Sequence, residues 1–342
     1  MNKKSNDAKK HVIDFSIIIP FQTVNPYLKE TLGHIAKLEH SCFEVILLPD
    51  ADFPAEDIDA YDYSLQIIST GSVSPAIKRD MGAAASHGKY LAFIDDDAYP
   101  ATDWLTQASP HFGDHEIAAV GGPQITPEED GFWQKVSGAM FISPLNGKAV
   151  CRYWPCRKRF FVDDWPSVNL IVKKGDFMSV GGFDSGYWPG EDTKFCLDLI
   201  EKQGKKIIYE PDSRVFHHRR AGFTRHMKQV GNYGLHRGHF ARRFPKTSLK
   251  PAYFIPSCFF LFICAGWSTF YLNLFLTRSY IFFWLLYLLA LTVSTIGIYA
   301  RLKDFKIALA TVPYLVSTHF WYGWRFLKGF LFIKDLKSRL GR

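Results

Sequence analysis

The sequence predicts an α/β domain built on a mostly parallel, Rossmann-like sheet, followed by C-terminal transmembrane helices. Three observations carry this reading. Short apolar runs alternate with helix-like stretches from Phe15 onward, three aspartates stand together directly after one such run, and the chain beyond Pro251 turns almost wholly apolar.

The first strand is expected at Phe15–Pro20 (FSIIIP), ending at a proline. Asn25 and Pro26 supply the cap and first residue of a helix reaching about Leu38. Phe43–Leu48 (FEVILL) reads as a second strand that runs into Pro49-Asp50, and Leu65–Ser69 as a third. Ser74-Pro75 opens the next helix and Gly88 ends it, before Tyr90–Ile94 forms a fourth strand running into Asp95-Asp96-Asp97. Further on come a strand at Val168–Lys173, a glycine turn at Gly181-Gly182, a helix from about Glu191 to Gln203 and a strand at Lys206–Tyr209. No repeat or low-complexity tract interrupts this portion.

Two apolar stretches follow, Tyr253–Leu276 and Tyr280–Ala300, and about 20 residues suffice to cross a bilayer. A third, Ile307–Ile333, is long enough but is broken by Pro313, His319, Arg325 and Lys328. The basic loop Arg301–Lys306 and the basic tail Lys334–Arg342 both favour the cytoplasm, so this third stretch is expected to be re-entrant or interfacial rather than a crossing. The resulting division is a polar tail over residues 1–14, an α/β domain over 15–218, a basic segment over 219–250 and a membrane region over 251–342.

Charge is divided along the chain. Residues 217–342 carry 19 Lys and Arg against 2 Asp and Glu, which leaves 22 against 31 for residues 1–216. Because the basic residues flank apolar runs, lipid headgroups are the expected partner and nucleic acid is not. The N-terminus is lysine-rich with no apolar stretch behind it, unlike a secretory signal. The expectation is a multi-pass protein of the inner (cytoplasmic) membrane with its α/β domain facing the cytoplasm. Six scattered cysteines, Cys151 and Cys156 among them, read as reduced thiols without a disulfide framework.

Three adjacent aspartates at a strand end repel one another unless a cation relieves them, and their hard oxygen ligands suit Mg²⁺ or Mn²⁺. A solvated acidic turn is the alternative. Strand ends are also where open α/β sheets bind ligands, which draws attention to Asp50 as well. A second acidic constellation, Gly181-Gly182-Phe183-Asp184 followed by Pro189-Gly190-Glu191-Asp192, begins a helix, where the macrodipole favours ionised carboxylates.

Together these pieces resemble the family 2 glycosyltransferases of the membrane-anchored bacterial type, which have the GT-A fold. The resemblance spans roughly Phe15–Arg243 and rests on FSIIIPF, the strand ending at Asp50, SPAIKRDMGAAASHGKYLAFIDDD, VNLIVKKGDFMSVGGFDSGYWPGEDTKFCLDL and VFHHRR. It implies a nucleotide-sugar donor contacted by Pro20, Asp50, Arg79, Asp95 and Asp96, with Asp50 on the base, Arg79 near the diphosphate and Asp95 nearer the ribose. It implies a divalent metal held by Asp97, Asp95 and His217, with His218 an alternative to His217. Asp192, paired with Glu191, is implied as the base that deprotonates an acceptor hydroxyl, giving direct displacement with inversion. The acceptor is expected to be a membrane-associated glycan or lipid-linked molecule.

Two departures qualify the resemblance. Asp80 replaces the family's asparagine after Arg79, with an expected weakening of a polar contact near the donor. The Q-x-x-R-W signature of processive synthases is absent after Gln229, which favours single transfer over a processive polysaccharide synthase. Cys151–Phe161 is open between an acceptor cover and a surface loop, and Arg219–Lys250 between membrane apposition and capture of an anionic polyprenyl-phosphate-type acceptor. Two other classes were weighed. A nucleotidyltransferase would need a glycine-rich phosphate loop that Pro20-Phe21-Gln22-Thr23 does not provide, and a non-catalytic membrane scaffold would be expected to have lost its acidic motifs.

Overall fold

A computed structural model describes residues 13–336 apart from Asp184 and Trp188, so the polar tail through residue 12, the extreme C-terminus and the Asp184 of the glycine-rich motif lie outside the described residues. The first part of the chain runs β1 (Phe15–Pro20), α1 (Pro26–Ile35), β2 (Phe43–Leu48), β3 (Ser64–Ile67), α2 (Pro75–Ala85) and β4 (Tyr90–Phe93). Next come β5 (Ala98–Pro100), α3 (Trp104–Ala108), β6 (Ile117–Gly121), β7 (Gln124–Ile125), α4 (Phe132–Phe141) and β8 (Phe160–Val162). Then follow β9 (Leu170–Lys173), α5 (Lys174–Val180), α6 (Glu191–Gln203), β10 (Lys206–Tyr209) and β11 (Val215–His217). Five helices complete the chain: α7 (Phe223–Arg243), α8 (Pro245–Ser248), α9 (Pro251–Gly266), α10 (Leu274–Leu302) and α11 (Phe305–Leu331).

Eight strands form one sheet in the order β3-β2-β1-β4-β9-β6-β10-β8, and β5-β11-β7 form a second, small one. In the large sheet β3, β2, β1 and β4 are parallel neighbours and β10 is parallel to β6, while β9 runs antiparallel between β4 and β6 and β8 antiparallel beside β10. The expected α/β GT-A architecture is therefore present, with a mixed half that the sequence reading had not resolved.

All six residues of β1 are buried, because helices cover both faces of the sheet, and this is why FSIIIP shows no alternation of polar and apolar positions. Each fully buried Ile or Leu contributes about 1.5–3 kcal/mol relative to exposure. The helix starts follow their sequence signals: Asn25 Oδ1 accepts the Leu28 N–H at 3.0 Å, and Ser74 Oγ accepts that of Ile77 at 3.4 Å. Because β1, β2 and β4 are parallel neighbours, their ends lie at one edge of the sheet.

One expectation is corrected outright. Cys151 and Cys156 form a disulfide with their Cα atoms 5.3 Å apart. The chain reverses between them, with the Tyr153 and Trp154 N–H groups both donating to the Val150 carbonyl, and that turn brings the two side chains within bonding range. Spacing alone did not reveal the turn. Cys42, Cys196, Cys258 and Cys264 are free.

The helices α9, extended through Tyr271, and α10 are long and apolar enough to cross a membrane, by length and composition. Their outward side chains include Ile255, Phe275, Leu285 and Leu289, all well exposed. α11 differs, lying along α7 and also touching α9 and α4. The approach is close because glycines replace side chains at the contact. A Cβ on Gly238 of α7 would stand 2.1 Å from the Phe326 carbonyl oxygen, and one on Gly329 of α11 would stand 2.0 Å from that of Leu235. Within the basic segment, α7 thus packs its buried face on α11.

Candidate functional site

Because β1, β2 and β4 are parallel, Pro20, Asp50 and Asp95–Asp97 all leave the sheet at the same edge. The chain itself supplies partners for these acids. Lys78 Nζ lies 2.5 Å from Asp50 Oδ1 and also donates to the carbonyls of Leu48 and Phe21. Arg79, buried one position on, donates to Asp95 Oδ1 at 2.6 Å and to Glu191 Oε1 at 3.1 Å. Asn25 Nδ2 donates to Asp96 Oδ2 at 2.6 Å. Asp97 faces His217 Nε2 at 3.1 Å and Arg220 Nη1 at 3.2 Å.

Electrostatics separate the three aspartates. Burial pushes the Asp96 carboxyl up to about 7, with the Asp97 charge adding to the rise and the Asn25 hydrogen bond opposing it. Burial also opposes ionisation of Asp97, but His217, Arg220 and Arg219 outweigh it and hold that carboxyl well below the usual range. Asp97 is therefore held ionised, in contrast to Asp96.

Asp95, Asp97 and His217 each offer one ligand atom, and these atoms all lie within 4.8 Å of one another. Two carboxylate oxygens and an imidazole nitrogen suit a hard or borderline divalent cation. Adjacent octahedral ligands at about 2.1 Å from Mg²⁺ are roughly 3 Å apart, and Asp97 and His217 stand 3.1 Å apart. The donor set fits Mg²⁺ or Mn²⁺. His217 is oriented by Gln124, whose Oε1 lies 2.7 Å from its Nδ1. His218 turns the other way, to Glu30 and Asp130, and stacks on Tyr27.

The second acidic motif is set by backbone geometry. Gly190 has φ +126°, a conformation that side chains beyond glycine rarely adopt, and it turns the chain so that α6 starts at Glu191. Glu191 is consumed locally: its Oε2 accepts the Gly190 N–H at 2.9 Å and its Oε1 the Arg79 guanidinium. Asp192 accepts only the Thr193 N–H, at 2.7 Å, and has no side-chain partner among the described residues. Burial raises both carboxyls, Glu191 further through Asp192, and Asp192 further through Asp164.

Asp95, His217 and Asp192 line one cavity of 360 Å³, together with Tyr153, Tyr253 and Tyr322. The sequence reading missed the charge cluster behind it. Asp164 is buried between Arg152 and Arg237, the latter at 2.8 Å, and accepts Thr193 Oγ1–H at 3.2 Å. Burial disfavours its charge, yet the two guanidiniums hold its carboxyl well below the usual range. Asp163, by contrast, is exposed and paired with Lys250. Lys78, Arg219 and Arg220 carried a legible signal, being adjacent to Arg79 and His217; Arg152 and Arg237 did not. Asp80 follows Arg79 on α2. Its Oδ1 accepts the Phe183 N–H at 2.9 Å, beside the Gly182 turn.

Fold and strand-end acids together define a GT-A glycosyltransferase architecture. Residues 16–167 match the family described as Glycosyl transferase family 2. A pre-mycofactocin glycosyltransferase of Mycobacterium tuberculosis is 31% identical over 175 residues, covering 51% of this chain and 36% of the relative. The chain thus spans about a third of the length of that relative. A glucosyl-dolichyl phosphate glucuronosyltransferase of Haloferax volcanii is 26% identical over 225 residues, covering 59% of this chain and 68% of the relative. Among solved structures, the mannosyltransferase PcManGT from Pyrobaculum calidifontis, in complex with GDP-Man and Mn²⁺, has a TM-score of 0.52 at 17% identity. That likeness covers 94% of this chain and 88% of the other, so the shared fold continues past the α/β domain.

Proposed function

We propose that this chain is an inverting, metal-dependent glycosyltransferase that moves a sugar from a nucleotide-sugar donor to a hydroxyl of a glycan or lipid-linked acceptor at a membrane. One observation carries the reading: Asp192, a half-buried carboxylate without a side-chain hydrogen-bond partner among the described residues, lines the same cavity as Asp95 and His217. The similarity to glycosyltransferases, one named for a dolichyl phosphate acceptor and one complexed with GDP-Man and Mn²⁺, supports it.

The roles follow from chemistry and placement. Pro20 and Asp50 stand at the ends of β1 and β2 to take the nucleotide, with Lys78 fixing Asp50. Asp97, Asp95 and His217 hold the divalent metal, which when bound offsets charge on the departing diphosphate. Asp96, tied to Asn25, completes the donor edge. Arg79 acts through Asp95 and Glu191, because both of its terminal nitrogens are engaged there. Asp192 accepts the acceptor's hydroxyl proton as that oxygen bonds to the anomeric carbon and the bond to the nucleoside diphosphate breaks; attack opposite the leaving group inverts the centre.

Exposed apolar side chains on α9 and α10 support a bilayer anchor, and the basic residues around them favour placing the α/β domain on the cytoplasmic side of an inner membrane. A panel of nucleotide sugars, incubated with the full chain and membrane lipid extract with Mn²⁺ or with chelator, tests the reading. Metal-dependent transfer from at least one donor is expected. Absence of both hydrolysis and transfer across the panel would leave a nucleotide-binding scaffold as the better account.

A further inference from the structure

A cleft of 1380 Å³ lies between the strand-end residues, Thr23 and Lys78 among them, and the facing sides of α7 and α11. Four cations line its helical wall: Arg225 and Lys228 on α7, Arg325 and Lys328 on α11. Within each pair the residues are three apart, which places them on one helix face. None of the four has a carboxylate partner among the described residues, and Asp335 is the acid of that wall. The acid facing them from the donor edge, Asp96, is already bonded to Asn25. This wall therefore carries uncompensated positive charge inside a concave space.

The cleft adjoins the smaller cavity that holds Asp192, for Pro189, Tyr233 and His236 line both. At that junction His236 Nδ1 is buried without a hydrogen-bond partner. A molecule with a hydroxyl at Asp192 can thus extend past Tyr233 and His236 to the four cations. At the donor end Lys78 is paired with Asp50 and Arg220 with Asp97, whereas the four cations on the helices have no carboxylate partner among the described residues. Guanidinium and ammonium groups without anionic partners suit phosphate oxygens, through charge-assisted hydrogen bonds.

We propose that the α7–α11 wall recognises a phosphate group on the acceptor, with the acceptor's sugar seated beside Asp192. The proposal rests on the reaction centre assigned above and adds the chemical class of its second substrate. A flat membrane contact fits less well, since the four cations line a cleft shared with the donor edge rather than the outward apolar faces of α9 and α10.

The test measures binding directly with the full chain in detergent, using three probes that share one sugar: a methyl glycoside, the sugar 1-phosphate and the polyprenyl-phosphate-linked sugar. Wild type is expected to bind both phosphate probes more tightly than the methyl glycoside. Arg225→Gln with Lys228→Gln, and separately Lys328→Gln, should weaken phosphate-probe binding about tenfold or more, as loss of charged hydrogen bonds implies. Glycoside binding and nucleotide affinity should stay within about twofold. Equal affinity for the two phosphate probes assigns recognition to the phosphate alone; preference for the lipid-linked one adds the isoprenoid chain. Parallel loss of nucleotide affinity would assign the cations to the donor and overturn the proposal. So would unchanged probe binding with reduced association to anionic vesicles. Phosphate-selective binding in a protein that hydrolyses no donor would sink the catalytic reading while leaving the wall intact.

Discussion

Arg79 Nη1 lies 3.1 Å from Glu191 Oε1, a buried ion pair that joins α2 to the first turn of α6. The contact separates two adjacent carboxylates that the sequence could not tell apart. It ties Glu191 to Arg79, whereas Asp192, lining the same cavity, has no side-chain hydrogen-bond partner among the described residues.

Glu191→Gln removes one charge from Arg79 but keeps an amide oxygen and the Asp95 partner. The expected result is a stability loss of about 1–3 kcal/mol, the usual scale for a weakened buried hydrogen bond to a charged group. Thermal melting of the purified variant measures it. An unchanged melting temperature would show that the pair contributes little to the α2–α6 junction.

Asp97→Asn takes a charged oxygen from the donor set of Asp95, Asp97 and His217. Titration calorimetry with nucleotide in the presence of Mn²⁺ should show metal-dependent affinity lost, with metal-independent affinity kept. Unchanged affinity would remove Asp97 from the metal site.

Asp164→Asn leaves Arg152 and Arg237 buried without their anion. Breaking such an arrangement costs about 3–5 kcal/mol. The pH dependence has a definite sign. A carboxyl held below its unfolded value contributes stability that is present above that value, near pH 4, and is lost as pH falls towards the folded one. The difference between wild type and variant should therefore be constant from about pH 5 to 8 and shrink below about pH 4. Denaturant titrations at several pH values check this; a difference that grew on acidification would contradict it.

Much of the α/β half was legible because its signals are local. The runs FSIIIP, FEVILL and YLAF are buried on both faces and bounded by turn or cap residues, so length and composition suffice. The strands β5, β7 and β11, of two or three residues each, are too short to show a period, and only their pairing defines them. Asp50 and Asp95–Asp97 stood out because strand ends gather ligands. Arg152 and Arg237 could not, since they reach Asp164 from 12 and 73 residues away and no sequence pattern links such distances. α11 was hard to place for a related reason. Its cations face a cleft, Gly329 faces α7 and Gly323 faces α9, so neither hydropathy nor charge alone describes its surroundings.

The α7–α11 contact also bears on truncation. Ending the chain near Arg243 would expose the glycine face of α7, so a soluble fragment is not expected to behave as an intact donor-binding domain. Gly238→Ala tests the contact: its Cβ would meet the Phe326 carbonyl at 2.1 Å, and overpacking of this kind costs about 1–3 kcal/mol. Gly175→Ala, with nothing within 4 Å, serves as the comparison and should be neutral or slightly stabilising. Equal melting temperatures for the two variants would show that the helices are not closely apposed.

The central claim is tested most directly by measuring donor affinity and transfer turnover for Asp192→Asn and Glu191→Gln on matched preparations of the full chain, with melting temperatures recorded alongside. Asp192→Asn keeps size and shape but cannot take the hydroxyl proton. Its turnover should fall by about 10²–10⁴ while donor affinity stays within a few-fold, whereas Glu191→Gln should lose stability more than turnover on the folded fraction. Near-normal turnover in Asp192→Asn would contradict the assignment of the base and, with it, the catalytic reading of the cavity shared by Asp192, Asp95 and His217.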